Sequence, residues 1–290
     1  MVLTYPLMSA VQLVSAYIGR VTGVGLAANM EKLFPTTVVT GLVGLLFIPH
    51  IDNRAAIVTI VAIFGTTISP YLFFWQSAQE VEEVESDPVA EALVEAPWQA
   101  RRQFRRIWFD TLIGMGFSNL VAIAIIISTA ATLHAHGIVD IQTASQAAQA
   151  LEPVAGKYAF FLFTIGIIGT GLLAIPVLAG STAYAIGDSR GWRSRLDYKP
   201  WEAAGFYTVI GLATLLVIAI DWSPLDPIKA LFWSAVINGV VAVPIMIAMM
   251  IVVRRHDRMG KFIAPLSITV LGWAATLIMA SAAIAMVVVQ

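Results

Sequence analysis

The sequence predicts an all-α, polytopic membrane protein, and three observations carry that prediction. Of 290 residues, 59% are hydrophobic and only 12% charged, with a mean hydropathy of +0.83. The apolar residues come in runs long enough to cross roughly 30 Å of hydrocarbon, with short polar segments between them. Basic residues collect in alternate connecting segments, as the positive-inside rule requires of a chain that reverses direction at each span. A single transmembrane bundle is expected, not a string of soluble domains.

Several functions are excluded at this level. A net charge of −1, with the arginines confined to short segments, gives no basic face for nucleic acid. The chain has no cysteine, so it has neither disulfides nor thiolate metal sites. No nucleophile, base and orienting group, and no set of zinc ligands, converges on a predicted site, so an enzyme is not expected and no cofactor is implied. Met1 to Pro6 has neither a basic n-region nor a small-residue cleavage site and does not read as a signal peptide.

In chain order, Leu3 to Ile18 is a first span, followed by Arg20, Val21-Thr22-Gly23 and the polar patch Asn29 to Lys32. Pro35 to Ile48 is a short second span, closed by His50, Asp52, Asn53 and Arg54. Ala55 to Gln76 follows, then an acidic run from Glu80 to Asp87 that continues the helix beyond the membrane until Pro88. Arg101, Arg102, Arg105 and Arg106 lead into a span from Ile107 to Leu133, and these arginines are expected to pair with the acidic run or with Asp110. A cation-gathering vestibule is the alternative for the acidic run.

His134 to Lys157 reads as a polar loop rich in alanine and glutamine. Tyr158 to Ile186 spans again, with Gly166, Gly169, Gly171 and Gly180 permitting close helix approach and Pro176 introducing a kink. Asp188 to Lys199 is a basic loop with interfacial aromatics; Ala203 to Ile220 spans, and Asp221 to Pro227 is a rigid turn. Leu231 to Val253 contains Asn238-Gly239 and Pro244, basic residues from Arg254 to Lys261 follow, and Ala264 to Val289 is the last of about eight crossings. The alternation puts Arg20 and Lys32, Arg101 to Arg106, Arg190 to Lys199 and Arg254 to Lys261 on one side of the membrane. It also places both termini outside, which suggests that a span is missing at the N-terminus. The inner, or plasma, membrane is the expected location, with the bilayer as an obligatory partner.

The segment Gly65-Thr66-Thr67-Ile68-Ser69-Pro70-Tyr71 stands out within its span. Pro70 supplies no N–H, and Gly65 and the β-branched threonines weaken a helix further, so the helix is expected to open here. In lipid, irregular backbone survives only where protein or a wet cavity satisfies it, which makes the break a site candidate. Two readings stay open: carbonyls and N–H groups turned toward an ion, or a proline kink satisfied by threonine hydroxyls.

From Gly65 to Gln76, and on through Gln79-Glu80-Val81-Glu82-Glu83, the sequence resembles the Nramp family of divalent metal ion transporters, in particular the branch associated with manganese or magnesium. Asp110 to Asn119, Gly169 to Gly180, Ile237 to Pro244 and Arg20 to Gly23 extend the resemblance. It implies a LeuT-type fold of two inverted five-helix repeats, with residues 1–54 a remnant of the first repeat, 55–254 the second, and 255–290 an additional C-terminal span. The broken span corresponds to the sixth helix of such a fold. No Asp-Pro-Gly-Asn-type segment occurs, so the acidic and amide ligands of the family's first broken helix are absent, and the chain reads as N-terminally truncated and internally shortened.

Carried over by position, the resemblance assigns a metal-facing backbone carbonyl to Thr66. It puts Ser69 where iron- and manganese-selective members have a methionine, and Tyr71 where many have a histidine. Asn238 falls at a polar position that approaches the metal in some states, with a bond to a neighbouring helix as the alternative; Asn119 is a weaker candidate. With no thioether at Ser69, oxygen donors favour hard ions such as magnesium or manganese over iron. His50, His134, His136 and His256 all lie outside the spans, so proton coupling has little support in the sequence. Divalent metal transport by alternating access is the leading expectation, the metal being substrate and not cofactor. The alternatives are a non-transporting fragment or half-transporter completed by a second copy or partner chain, and a carrier of an organic solute.

Overall fold

The computed structural model describes residues 4–32, 55–133, 137, 141 and 143–288. Helices dominate it: α1 (Thr4–Thr22), α2 (Leu26–Glu31), α3 (Ala55–Thr67), α4 (Pro70–Ser86), α5 (Ala100–Thr132), α6 (Ala159–Arg190), α7 (Ala204–Asp221), α8 (Pro227–Val252) and α9 (Leu266–Val288). Five segments are long and apolar enough to cross a bilayer, one of them the pair α3 and α4 taken together as Val58–Ser86, and Ala204–Ile220 is a shorter apolar helix. The expected second span, Pro35 to Ile48, and His50, Asp52, Asn53, Arg54, His134 and His136 lie outside the described residues.

Helix α1, on the expected first span Leu3 to Ile18, is not among these five segments, yet it is the most buried of the long helices. Helix α1 hides nearly its whole length, including Ser9, Gln12, Ser15 and Arg20, and packs against α4, α5 and α9. In lipid this inversion is the stable one, because polar side chains find partners only inside the bundle. Ser15 Oγ donates to the Phe73 carbonyl of α4 at 2.5 Å, and Tyr5 Oη donates to the Leu112 carbonyl of α5 at 3.0 Å. Helix α3 lies on α8 and α9, while α6 lies on α4 and α7.

Boundaries moved where local chemistry was stronger than the hydropathy pattern. Helix α5 starts at Ala100, so the four arginines occupy its first turns instead of leading into it. Helix α8 starts at Pro227, because Asp226 accepts the Ile228 and Lys229 N–H groups at 2.9 and 3.4 Å and Pro227 fits the first helical position. The turn expected there therefore opens the helix. The expected loop after α5 contains short helices at Ala144–Ala148 and Glu152–Ala155, the first closed by a capping box between Thr143 and Gln146. Helix α6 runs through Pro176 without interruption.

Two expectations about contacts were only partly met. Of the glycines in α6, Gly180 permits close approach: a Cβ there would stand 2.8 Å from the Trp75 ring. At Gly166, Gly169 and Gly171 a Cβ would meet nothing within 4 Å among the described residues. Among the described residues, Arg106 alone of the arginines at the start of α5 pairs with carboxylates, reaching Glu80 at 2.6 Å, Glu83 at 2.5 Å and Asp110 at 3.8 Å.

The basic segments do share one end of the bundle. Arg20 lies 3.8 Å from Glu83, and Arg195 lies 3.2 Å from Glu85. Phe104 stacks with Tyr17 at 4.5 Å and with Phe262 at 5.7 Å, which brings the segment after α8 to the same end. Glu82 accepts the Tyr184 hydroxyl and the Leu196 N–H, so the loop after α6 is clamped to α4.

Candidate functional site

The span breaks where the proline, glycine and threonine content puts the break. Helix α3 stops at Thr67, Ile68 and Ser69 leave the helical path, with Ser69 at φ −89° and ψ 125°, and α4 starts at Pro70. Pro70 has no N–H to return to the Thr66 carbonyl, so the end of α3 must find another donor. Ser69 supplies it: Oγ reaches the Gly65 carbonyl at 2.7 Å and the Thr66 carbonyl at 3.0 Å. Thr67 Oγ1 does the same for the Ile63 and Phe64 carbonyls at 2.5 and 3.2 Å.

Both readings of the break therefore find something in the geometry. The carbonyls at the end of α3 are capped by hydroxyls, as in a satisfied kink. Yet Ser69 occupies the N-cap position of α4 while its side chain points backward, and it makes no cap bond to that helix. The start of α4, with the partial positive charge of a helix N-terminus, borders the cavity described next through Pro70 and Tyr71, while the Leu72 N–H returns to the Ser69 carbonyl at 3.1 Å.

A close contact holds the first half of the break in place. A Cβ on Gly65 would lie 1.9 Å from the Ala235 carbonyl oxygen and 2.5 Å from the Gly239 nitrogen, and one on Gly239 would lie 2.6 Å from the Val61 carbonyl oxygen. Backbone thus meets backbone between α3 and α8, which only paired glycines permit. The contact carries Asn238, the neighbour of Gly239, to the same level as Thr66, the neighbour of Gly65.

Between these helices and α6 lies a cavity of about 380 Å³. Thr66, Ser69, Tyr71 and Asn238 all line it, so the four residues expected at a metal site come together on one cavity wall system. Asn119 does not join them: its amide donates to the Met115 carbonyl at 2.9 Å and faces Met8 of α1. Sequence reasoning missed Ser181, Thr182 and Ser234, whose side chains belong to the same lining. Ser234 precedes Asn238 by one helical turn and could have been found from that spacing. Ser181 and Thr182 directly follow Gly180, the end of a quoted motif, but nothing in the sequence alone turns them toward α3.

Most of this lining is apolar, and its polar part is neutral and largely oxygen. Thr66, Ser69, Tyr71, Ser181, Thr182, Ser234 and Asn238 are set among Phe74, Leu178, Leu231, Val241 and Ile245, and the Ser69, Ser181 and Thr182 hydroxyls donate to backbone carbonyls. Among the described residues it contains no carboxylate, imidazole, thiol or thioether, and no group of three or more acidic, histidine or cysteine side chains suited to a metal occurs. Such a set suits a hard cation held by neutral dipoles better than a soft one.

Comparison with known proteins agrees with the pattern of motifs. The Nramp profile, described as natural resistance-associated macrophage protein-like, matches residues 41–289. A divalent metal cation transporter MntH of Deinococcus radiodurans is 24% identical over 235 residues, covering 80% of this chain and 49% of that protein. The MntH of Caldanaerobacter subterraneus subsp. tengcongensis is 27% identical over 194 residues, covering 66% of this chain and 41% of the relative. The MntH of Klebsiella pneumoniae subsp. pneumoniae is 23% identical over 265 residues, covering 91% and 58%. The chain spans about half the length of the curated relatives it matches. With a broken membrane helix, a cavity at the break and a profile match across most of its length, the chain belongs to the Nramp family.

Proposed function

We propose that this chain takes part in moving a divalent metal cation across the inner membrane, manganese or magnesium in preference to iron, by alternating access around the break between α3 and α4. The observation that carries the reading is the convergence of Thr66, Ser69, Tyr71 and Asn238 on one cavity at the break. The relatives named above are divalent metal cation transporters, which supports the substrate class. The lack of a carboxylate or histidine in the described lining supports transport without proton coupling. Residues 55–254 act as the second repeat of a LeuT-type pair in this reading.

The test is uptake by vesicles containing the purified chain, with manganese, magnesium and iron compared. Asn238→Ala is expected to raise the half-saturating metal concentration about tenfold, the equivalent of one lost charge-assisted contact. Ser69→Ala should lower uptake as well, and manganese should outcompete iron. Uptake equal to that of empty vesicles would reject transport by this chain acting alone.

A second reading is favoured by a specific feature. The first half of α6 exposes Leu162, Ile165, Leu172 and Leu173, and a Cβ at Gly166, Gly169 or Gly171 would meet no neighbour among the described residues. A half-transporter completed by a second copy or another chain would cover that face and supply the remaining ligands. Crosslinks from cysteines placed at Gly166 or Gly169 to another polypeptide would support it, and the absence of native cysteines makes such experiments free of background. A monomer that transports by itself would count against it.

A further inference from the structure

The first turns of α5 hold more positive charge than the fold uses. Arg106 is bonded to Glu80 and Glu83, but among the described residues Arg101, Arg102 and Arg105 have no carboxylate partner and are exposed. Arg101 and Arg105 are four residues apart on the helix, as are Arg102 and Arg106, so like charges are stacked at the spacing where they repel. The helix holds four guanidinium groups together with one nearby carboxylate, Asp110, already within 3.8 Å of Arg106. An anion is the missing element.

The surroundings say what kind. Trp98, Arg101, Arg102, Arg105, Arg106 and Phe109 line an open groove of about 560 Å³. Trp98 is 75% exposed at its rim, and the Arg105 guanidinium lies 5.7 Å from the centre of the Phe109 ring. Along the same helix face, Ile113, Phe117 and Leu120 continue from Phe109 as an exposed apolar track. Cations at the start of a membrane helix, an amphipathic aromatic beside them and hydrocarbon-facing side chains below match the two ends of a lipid molecule. A free phosphate would use only the upper part.

We propose that this groove binds the phosphate headgroup of an anionic membrane phospholipid, with Arg101, Arg102 and Arg105 on the phosphate and an acyl chain along Phe109, Ile113 and Phe117. Trp98 closes the groove at the headgroup level. The site is separate from the cavity at the break and is independent of whether the chain transports metal.

The experiment measures thermal unfolding of the purified full chain in a neutral detergent while phosphatidylglycerol, phosphatidylcholine or inorganic phosphate is titrated in. Wild type is expected to respond to phosphatidylglycerol at a concentration at least about tenfold below that of phosphatidylcholine. The triple variant Arg101→Gln, Arg102→Gln, Arg105→Gln is expected to lose roughly a hundredfold in apparent affinity, at a factor of about five for each arginine near an anionic lipid. The corresponding triple lysine variant should keep most of the response. Equal responses to the two lipids, or a glutamine variant that behaves as wild type, would overturn the proposal. So would an inorganic phosphate response that matches the lipid, since the ligand would then be a free anion. If the triple variant does not fold, native mass spectrometry of wild type and Arg105→Gln decides: retained phosphatidylglycerol must fall in the variant, and unchanged retention refutes the site.

Discussion

Gly65 and Gly239 show how little room the site leaves. Because a methyl on Gly65 would be driven into the Ala235 carbonyl, Gly65→Ala forces α3 and α8 apart and should cost about 1–3 kcal/mol or more. Gly166→Ala, in open space on α6, should be neutral or slightly stabilising, since it only removes backbone freedom. Melting in detergent distinguishes them: a large fall for the first beside none for the second is expected, and equal effects would mean that the glycine contact does not hold the helices. Ser69 is a second instance of one side chain governing its surroundings. Its hydroxyl was expected as a metal ligand, and it caps the Gly65 and Thr66 carbonyls as well, so its loss acts on the backbone at the break before it acts on any ion.

The two halves of the broken span are held by different chemistry. Helix α3 is fixed to α8 by backbone contact, whereas α4 is fixed to α1, α5 and the loop after α6 by hydrogen bonds and ion pairs from its acidic end. Ser15 is the link nearest the break, bonding the Phe73 carbonyl within the buried core. Ser15→Ala should destabilise the bundle by about 1 kcal/mol. In a variant set with one cysteine at Tyr71, the same change should raise the labelling rate of that cysteine by a thiol reagent. An unchanged rate would show that α4 does not depend on this anchor.

For the bundle as a unit, the charge cluster where α1, α4 and α5 meet is the costliest feature to disturb. Arg20 is fully buried, with Glu83 at 3.8 Å, and Glu83 also holds Arg106. Glu83→Gln takes away one of the two nearby carboxylates that face the buried Arg20, Glu80 being the other, and also a partner of Arg106, so it should cost about 1–2 kcal/mol, less than a fully buried pair would. Adding Arg20→Met removes the buried charge, so the double variant should recover much of that loss. A double-mutant cycle on the melting midpoint checks this, and strictly additive losses would mean that the two residues do not interact. The vestibule reading of the acidic run has correspondingly less room, because Glu80, Glu82, Glu83 and Glu85 are engaged by Arg106, Tyr184, the Leu196 N–H, Arg20 and Arg195.

Much of this protein could be read from the order of its residues. Hydropathy located the membrane helices because a bilayer tolerates only backbone that satisfies itself, and the run from Gly65 to Pro70 marked the break because proline withholds a donor wherever it stands. Helix ends were less legible: Ala100 and Pro227 start their helices earlier than the apolar pattern suggests, since capping by Asp226 and continuation through arginines depend on groups that hydropathy ignores. Packing alone settled which polar residues meet. Thr66 and Asn238 are far apart along the chain, and they share a cavity only because Gly65 and Gly239 let two helices touch, which also brings Ser181, Thr182 and Ser234 to it. Likewise, no local pattern separates Arg106, which finds carboxylates, from Arg101, Arg102 and Arg105, which do not. Composition is a property of each segment taken singly, whereas partnership between side chains is a property of the space between segments.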